Sequence, residues 1–310
     1  MNLNNPMAFS ADELLNLAIM TKIPVVIVEG VDDVPVYERI SGSSGIMCDI
    51  YASENLCRVR EGCEGVIKNI CDIRAISDDI VVENHIIGIL DRDARFYRNE
   101  MPADPAIFTL NYYSIESHYV NECSIRYLVS QFTKATSRLV TNSLVKEIYD
   151  SIVTRLEFLH YVSLEALLNA CDRDYKAAFG YSDTIKSIVG RGLVPALEEK
   201  RVELDEFANR LGLTKSMETL LKICKGKWIV EIFSDHLLEL IKELPDHCAA
   251  SKIPQCQSCA TGNSESKKCM YKYTSFFSAD ILKMQSFTNT NVISLNYIKE
   301  RLLILQKTAA

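Results

Sequence analysis

The sequence predicts an α/β domain, a mostly parallel sheet flanked by helices, followed by a mainly helical region that carries a small cysteine-rich insertion. Three observations predict it. Continuous β-branched runs alternate with helical periodicity in the first third of the chain; strand signal then fades after about residue 125; and four of the eleven cysteines crowd between 248 and 269. A length of 310 residues exceeds the roughly 150 residues usual for one domain, so more than one is expected. Hydrophobic residues at 48% and charged ones at 24% exclude the disordered and fibrous classes.

Each element has its own signal. Ile23–Gly30 (IPVVIVEG) is an unbroken apolar run closed by Gly30, the pattern of a strand buried on both faces. A short helical segment follows Asp32 and Asp33, with Pro35 in a first turn, where proline is tolerated. Gly45–Ala52 is a second strand. The stretch 55–76 has helical spacing, weakened by Gly62 and Gly65. His85–Leu90 and Ile107–Tyr113 supply the third and fourth strands, and the alternation implies right-handed crossovers. Beyond them, Ser124–Ser130, Ser143–His160, Ser163–Ala170, Val202–Leu211 and Ser234–Leu244 read as helices, the last stopping at Pro245, and Asn291–Gln306 reads as an amphipathic helix. The resulting division is 1–124 for the α/β domain, 125–245 for the helical domain, 246–275 for the cysteine-rich segment and 276–310 for a C-terminal helical tail.

Charge is unevenly placed. Through Glu122 there are 9 Lys and Arg against 20 Asp and Glu, whereas from Lys252 onward there are 8 against 3. An acidic first half repels nucleic acid unless cations intervene, so phosphate chemistry there requires a metal. No apolar run is long enough to span a membrane and the N-terminal residues lack a secretory pattern, so a cytoplasmic protein with reduced thiols is expected.

Two strand ends terminate in acids: Glu29 after VVIV, and Asp91 with Asp93 after IIGIL. In open α/β sheets ligands gather beyond the carboxyl ends of strands. Asp33 lies one tight turn past Glu29 and can flank the same crevice. Carboxylates crowded together need a divalent cation, and hard oxygen ligands select Mg²⁺ or Mn²⁺. Solvated loop acids are the alternative. Arg92 and Arg95, beside the Asp pair, either touch phosphate or balance the acids.

Glu29-Gly30 after a hydrophobic strand, Asp33 four residues on, and Asp91-Arg92-Asp93 after the next-but-one strand resemble the TOPRIM domain of topoisomerases, primases and OLD-type nucleases. With no topoisomerase or primase companion domain in view, the chain is most similar to the OLD-like group, and within it to the AriB-type effectors of PARIS anti-phage defence. The motif support covers residues 22–120. The resemblance implies a metal-dependent endonuclease, with Glu29 as general base or metal ligand and Asp33, Asp91 and Asp93 as ligands of Mg²⁺ or Mn²⁺. It further implies Glu116, in Ser114-Ile115-Glu116, as an additional ligand, and a catalytic lysine in Lys225-Gly226-Lys227, with Lys227 the counterpart. It also implies a toxic effector that cleaves RNA, transfer RNA being favoured, once released by a partner ATPase, and a homodimer as the active form. A DNA nuclease of OLD type, a primase-like enzyme and a non-catalytic scaffold are the competing readings.

Cys256-x-x-Cys259 is a chelating pair, and Cys248 and Cys269 complete a set suited to tetrahedral structural zinc, with His247 an alternative ligand. The segment is poor in large apolar residues, so something besides a core must fold it. Around it Lys252, Lys267, Lys268, Lys272, Tyr271 and Tyr273 interleave charge with rings, as a single-strand nucleic-acid surface does, an ordinary solvated surface being the alternative, and Lys225 joins them as a candidate contact. The seven scattered cysteines read as small buried hydrophobes, Trp228 as core or cap, and the histidines form no triad pattern.

Overall fold

The computed structural model describes residues 9–56, 62–77, 79–261, 268–274 and 277–310. Two compact units divide the chain: residues 1–115 together with 293–310, and residues 116–292.

The first unit is built on a parallel sheet of β1 (Val25–Val28), β2 (Asp49–Ala52), β3 (Ile86–Leu90) and β4 (Ile107–Thr109), in the order β2-β1-β3-β4. The strands are shorter than the apolar runs that announce them. Pro24 has no amide to give a ladder, though its carbonyl still accepts from Asp49 at 2.9 Å. Every residue of β1 and β3 is buried, as unbroken β-branched runs require. The sequence leaves two helices of this unit unassigned, the five-residue Asp93–Tyr97 and α1 (Ala11–Thr21). Its capping box was legible: Ser10 caps the amide of Glu13, whose carboxylate returns to the Ser10 amide at 2.8 Å. The helices after α1 are α2 (Val34–Ser43), with Pro35 in its first turn, α3 (Gly62–Ile76), the short α4 (Asp93–Tyr97) and the C-terminal helix Asn296–Ala309.

Packing explains two glycines. An alanine methyl at Gly88 in β3 would sit 2.5 Å from a Val66 methyl, so the glycine lets α3 lie directly on the sheet. Gly62 opens α3 with φ +69°, a conformation that L side chains resist. The C-terminal helix buries Ile298, Leu302 and Leu305 on one face, and Thr308 and Ala310 bond to Asn84 and Lys22 of the same unit.

The second unit is helical: α5 (Glu122–Phe132), α6 (Asn142–Leu156), α7 (Leu159–Cys171), α8 (Ile185–Gly190), α9 (Leu193–Ala196), α10 (Arg201–Arg210), α11 (Met217–Ile223), α12 (Gly226–Ala249), α13 (Gln257–Ala260) and α14 (Ala279–Ser286). Two expectations need correction. The segment Ser143–His160 is broken between α6 and α7. Pro245 does not stop its helix, because Leu237, Ile241, Leu244 and Cys248 form one buried stripe that runs through it. Burial of that stripe outweighs the hydrogen bond that proline forfeits. Glu165 of α7 is fully buried; it is held by Tyr175, the Ala178 amide at 2.9 Å and the Lys200 ammonium at 2.7 Å, which leaves no uncompensated charge.

Candidate functional site

The order β2-β1-β3-β4 makes the gap between β1 and β3 the point where the connections diverge to opposite sides, and ligands of open α/β sheets lie outside that point. Glu29 leaves β1 there and Asp91 leaves β3. Their meeting is direct: the Asp91 amide donates to Glu29 Oε1 at 2.9 Å. The Glu29 carbonyl is fixed as well, accepting from the Ser53 hydroxyl at 2.9 Å and from the Gly62 amide at 3.2 Å. Ser53, at the end of β2, therefore braces the crevice, a role with no signal in the sequence.

Asp33 turns back on the same loop, its Oδ2 accepting from the Gly30 amide at 3.2 Å. Asp93 has φ +29°, an unusual conformation for a residue with a side chain, and its Oδ1 accepts from the Arg95 amide at 2.5 Å. Strained backbone of this kind concentrates at functional positions. Burial pushes the Glu29 carboxyl up to about 7; the Asp91 amide opposes the shift, the charges of Asp93 and Asp33 add to it, and Arg95 opposes it. Burial also raises Asp93, against the Arg95 amide and guanidinium. The Cys63 thiol, in the first turn of α3, is pushed up to about 12 by burial and then by Glu29. Tyr37, buried beside the same acids, and Tyr297, half-buried near Asp91, are both raised, each mainly by loss of solvation.

The carboxylates do not close into a cage. Among the described residues, the group whose ligand atoms all lie within 4.8 Å of one another is Cys248, Cys256, Cys259 and Cys269. Glu29 is instead held on the Asp91 amide. Arg92 lays its guanidinium over the Phe96 ring at 3.3 Å and keeps a buried Nε without a partner, while Arg95 pairs with Glu64 at 3.4 Å.

In the second unit Glu116 lies in the 3-10 turn Ile115–Tyr119. Lys225 and Lys227 are not in a loop: Gly226 opens α12, with Lys225 at its N-cap. The Lys225 ammonium donates to the Tyr181 carbonyl at 2.6 Å; burial and then Lys227 lower its pKa, against the pull of Glu116 and Asp183. Lys227 is exposed. Trp228 is buried, its indole N–H on the Asp183 carbonyl at 2.9 Å, so it is core.

The four cysteines can hold a metal ion. Their mutual spacing matches tetrahedral thiolate coordination, in which sulfurs at about 2.3 Å from zinc stand roughly 3.8 Å apart. Cys248 closes α12, and Cys256 and Cys259 frame α13. The Cys256 amide donates to Cys248 Sγ at 3.3 Å, and Cys256 Sγ is 4.0 Å from Cys269 Sγ. Burial raises the Cys248 and Cys269 thiols, whereas the backbone amides of Met270 and Cys259 outweigh burial at Cys256 and pull it down to about 7. His247 is not part of the group.

One sequence reading changes at the cluster. Tyr271 is fully buried with its hydroxyl on the carbonyls of Leu139 and Pro254, so it braces the segment and offers no ring to a base. Lys268 and Lys272 are exposed, and Lys267 lies outside the described residues. Cys71 is exposed, not a core thiol, and Cys57 too lies outside the described residues. His236 joins a chain that the sequence did not reveal, with Nε2 3.0 Å from the Ser151 hydroxyl and Nδ1 3.0 Å from Glu239. Ser151 is in mid-helix, where its amide is committed to the backbone ladder, so the chain ties α6 to α12 without an oxyanion donor beside the serine.

No protein-family model matches the chain, and no curated protein is significantly similar to it. No helix among the described residues is long and apolar enough to cross a membrane.

Proposed function

We propose that the first unit is a divalent-metal-dependent nuclease domain of TOPRIM type, and that the cysteine cluster of the second unit is a structural zinc site. The observation that carries the first proposal is the junction of β1 and β3, where the Glu29 carboxylate meets the Asp91 amide at 2.9 Å with its pKa raised to about 7. Glu29, Asp33, Asp91 and Asp93 supply hard oxygen donors for Mg²⁺ or Mn²⁺. An open set suits Mg²⁺, which keeps waters and takes one or two carboxylates together with substrate phosphate, not a closed protein cage. Such an ion, when bound, neutralises the charge that develops on a phosphodiester during hydrolysis. Glu29, ionising near neutral pH, accepts the proton of the attacking water. The guanidinium groups of Arg92 and Arg95, beside the Asp91 and Asp93 pair, meet the phosphate. Lys227, exposed at the start of α12, and Glu116 both belong to the second unit, and their roles are proposed on family resemblance alone. Lys225 is assigned to structure, because its ammonium is spent on Tyr181.

The substrate we propose is RNA, transfer RNA being favoured, cut by an effector of anti-phage defence that a partner ATPase holds silent and that acts as a homodimer. The exposed lysines Lys268 and Lys272 provide phosphate contacts. The test is cleavage of transfer RNA and of plasmid DNA by purified protein with Mg²⁺ or Mn²⁺, with and without the co-encoded partner, beside Glu29→Ala. Cation-dependent cutting that vanishes in the variant supports the nuclease and names its substrate. Absence of cutting under every condition overturns it in favour of a binding module.

A further inference from the structure

The second unit contains a cleft of about 180 Å³ where the end of α6, the start of α7 and the start of α11 meet. One wall is apolar, made by Val153, Met217 and Leu220; the remainder is His160, Lys215 and Glu157 with the Ser216 cap. His160 is only 4% exposed, and its Nδ1 is sealed in protein without a hydrogen-bond partner. The ring stands edge-on to Tyr161 at 82°. With Nδ1 sealed and no acceptor near it, the imidazole proton belongs on Nε2, the nitrogen left to meet whatever enters the cleft. Burial, and then Lys215, lower the His160 pKa, which keeps the ring neutral at physiological pH.

Lys215 and Glu157 stand 3.9 Å apart with side chains 48% and 59% exposed. That pair is too long for a hydrogen bond and too wet to contribute much, so either head can turn to a ligand at small cost. Their charges cancel. A bare phosphate would meet the Glu157 carboxylate, and a bare ammonium would meet Lys215. The chemistry that satisfies all three polar groups is neutral, with carbonyl acceptors for Nε2–H and Lys215 and an N–H donor for Glu157. The apolar wall asks for a flat body, and a space of this size takes one six-membered ring, since a cavity of about 150 Å³ admits benzene.

We infer that this cleft binds a nucleobase of pyrimidine size, its face on Val153, Met217 and Leu220 and its polar edge on His160, Lys215 and Glu157. The inference makes no use of the acidic crevice and stands or falls apart from it.

The experiment uses the full chain with ¹⁵N-labelled histidine. Uridine and cytidine are titrated in turn while the His160 ring resonances are followed, with inorganic phosphate and benzoate as comparisons and nucleoside saturation transfer as a second readout. A pyrimidine nucleoside is expected to move the His160 Nε2 resonance and to receive saturation. Met217→Trp, which fills the cleft at a half-buried position, and Lys215→Ala, at an exposed one, are each expected to weaken binding about tenfold or more with the melting temperature held. No movement with either nucleoside overturns the inference. So does equal movement by phosphate or by benzoate, or saturation transfer that survives Met217→Trp.

Discussion

Glu29 is buried among like charges and still held in place by an amide, so its ionisation is opposed by the fold that positions it. Its folded pKa of about 7 lies above the ordinary 4.5. A raised carboxyl binds its proton more tightly in the folded state, so its contribution is fully present below pH 4.5 and is lost as pH rises to about 7. The shift corresponds to roughly 3 kcal/mol. Glu29→Gln keeps the acceptor for the Asp91 amide and removes the charge. In urea denaturation without divalent cations, the variant is expected to exceed the wild type by about that amount at pH 8, and to match it at pH 4.5. Adding Mn²⁺ at pH 8 should stabilise the wild type alone. Equal pH profiles for the two proteins would remove Glu29 from the titration. Glu165 shows the opposite case, a buried carboxylate whose partners are all present. Lys200→Met should therefore cost about 3–5 kcal/mol in the same assay, because it strands that charge.

Helix α3 lies on the sheet only because β3 carries a glycine under Val66. Gly88→Ala puts a methyl where 2.5 Å separates it from Val66, and overpacking of this kind costs about 1–3 kcal/mol. Combining it with Val66→Ala should recover part of the loss, and a double-mutant cycle measures how much. The cysteine segment has a different logic. Few large apolar side chains fold it, so its order is expected to depend on the metal that Cys248, Cys256, Cys259 and Cys269 can hold. Elemental analysis is expected to find about one zinc per chain in the wild type and none in Cys256→Ser, with the variant cut by protease between α12 and α14. Full zinc content in that variant would place the metal elsewhere.

On the scale of the whole molecule, the chain returns at its end to the unit in which it began. Residues 293–310 belong with residues 1–115, and the segment from 276 that reads as one tail is divided between the two units. Three large side chains of the last helix, Ile298, Leu302 and Leu305, are buried there, and together they are worth about 5 kcal/mol. A chain ended after Val292 is therefore expected to lose the cooperative unfolding of the first unit and the stabilisation by Mn²⁺, while the cysteine cluster of the second unit keeps its metal. Retention of both properties by the truncated chain would show that the last helix is dispensable.

The strands, their parallel direction and the positions of Glu29 and Asp91 at strand ends were legible in the sequence, whereas the strand order was not. Buried parallel strands need unbroken apolar runs, and such runs end where polar residues begin. The cysteine cluster was legible too, since thiolate ligands must recur at short spacing. Other features left no local trace, because they depend on residues far apart in the chain. The Asp91 amide on Glu29, Ser53 behind it, the burial of Tyr271 and the cleft at His160 are each made by long-range contacts. Periodicity in a sequence reports which face of an element is buried; what that face meets, and which polar atom is left without a partner, is decided only when the elements pack.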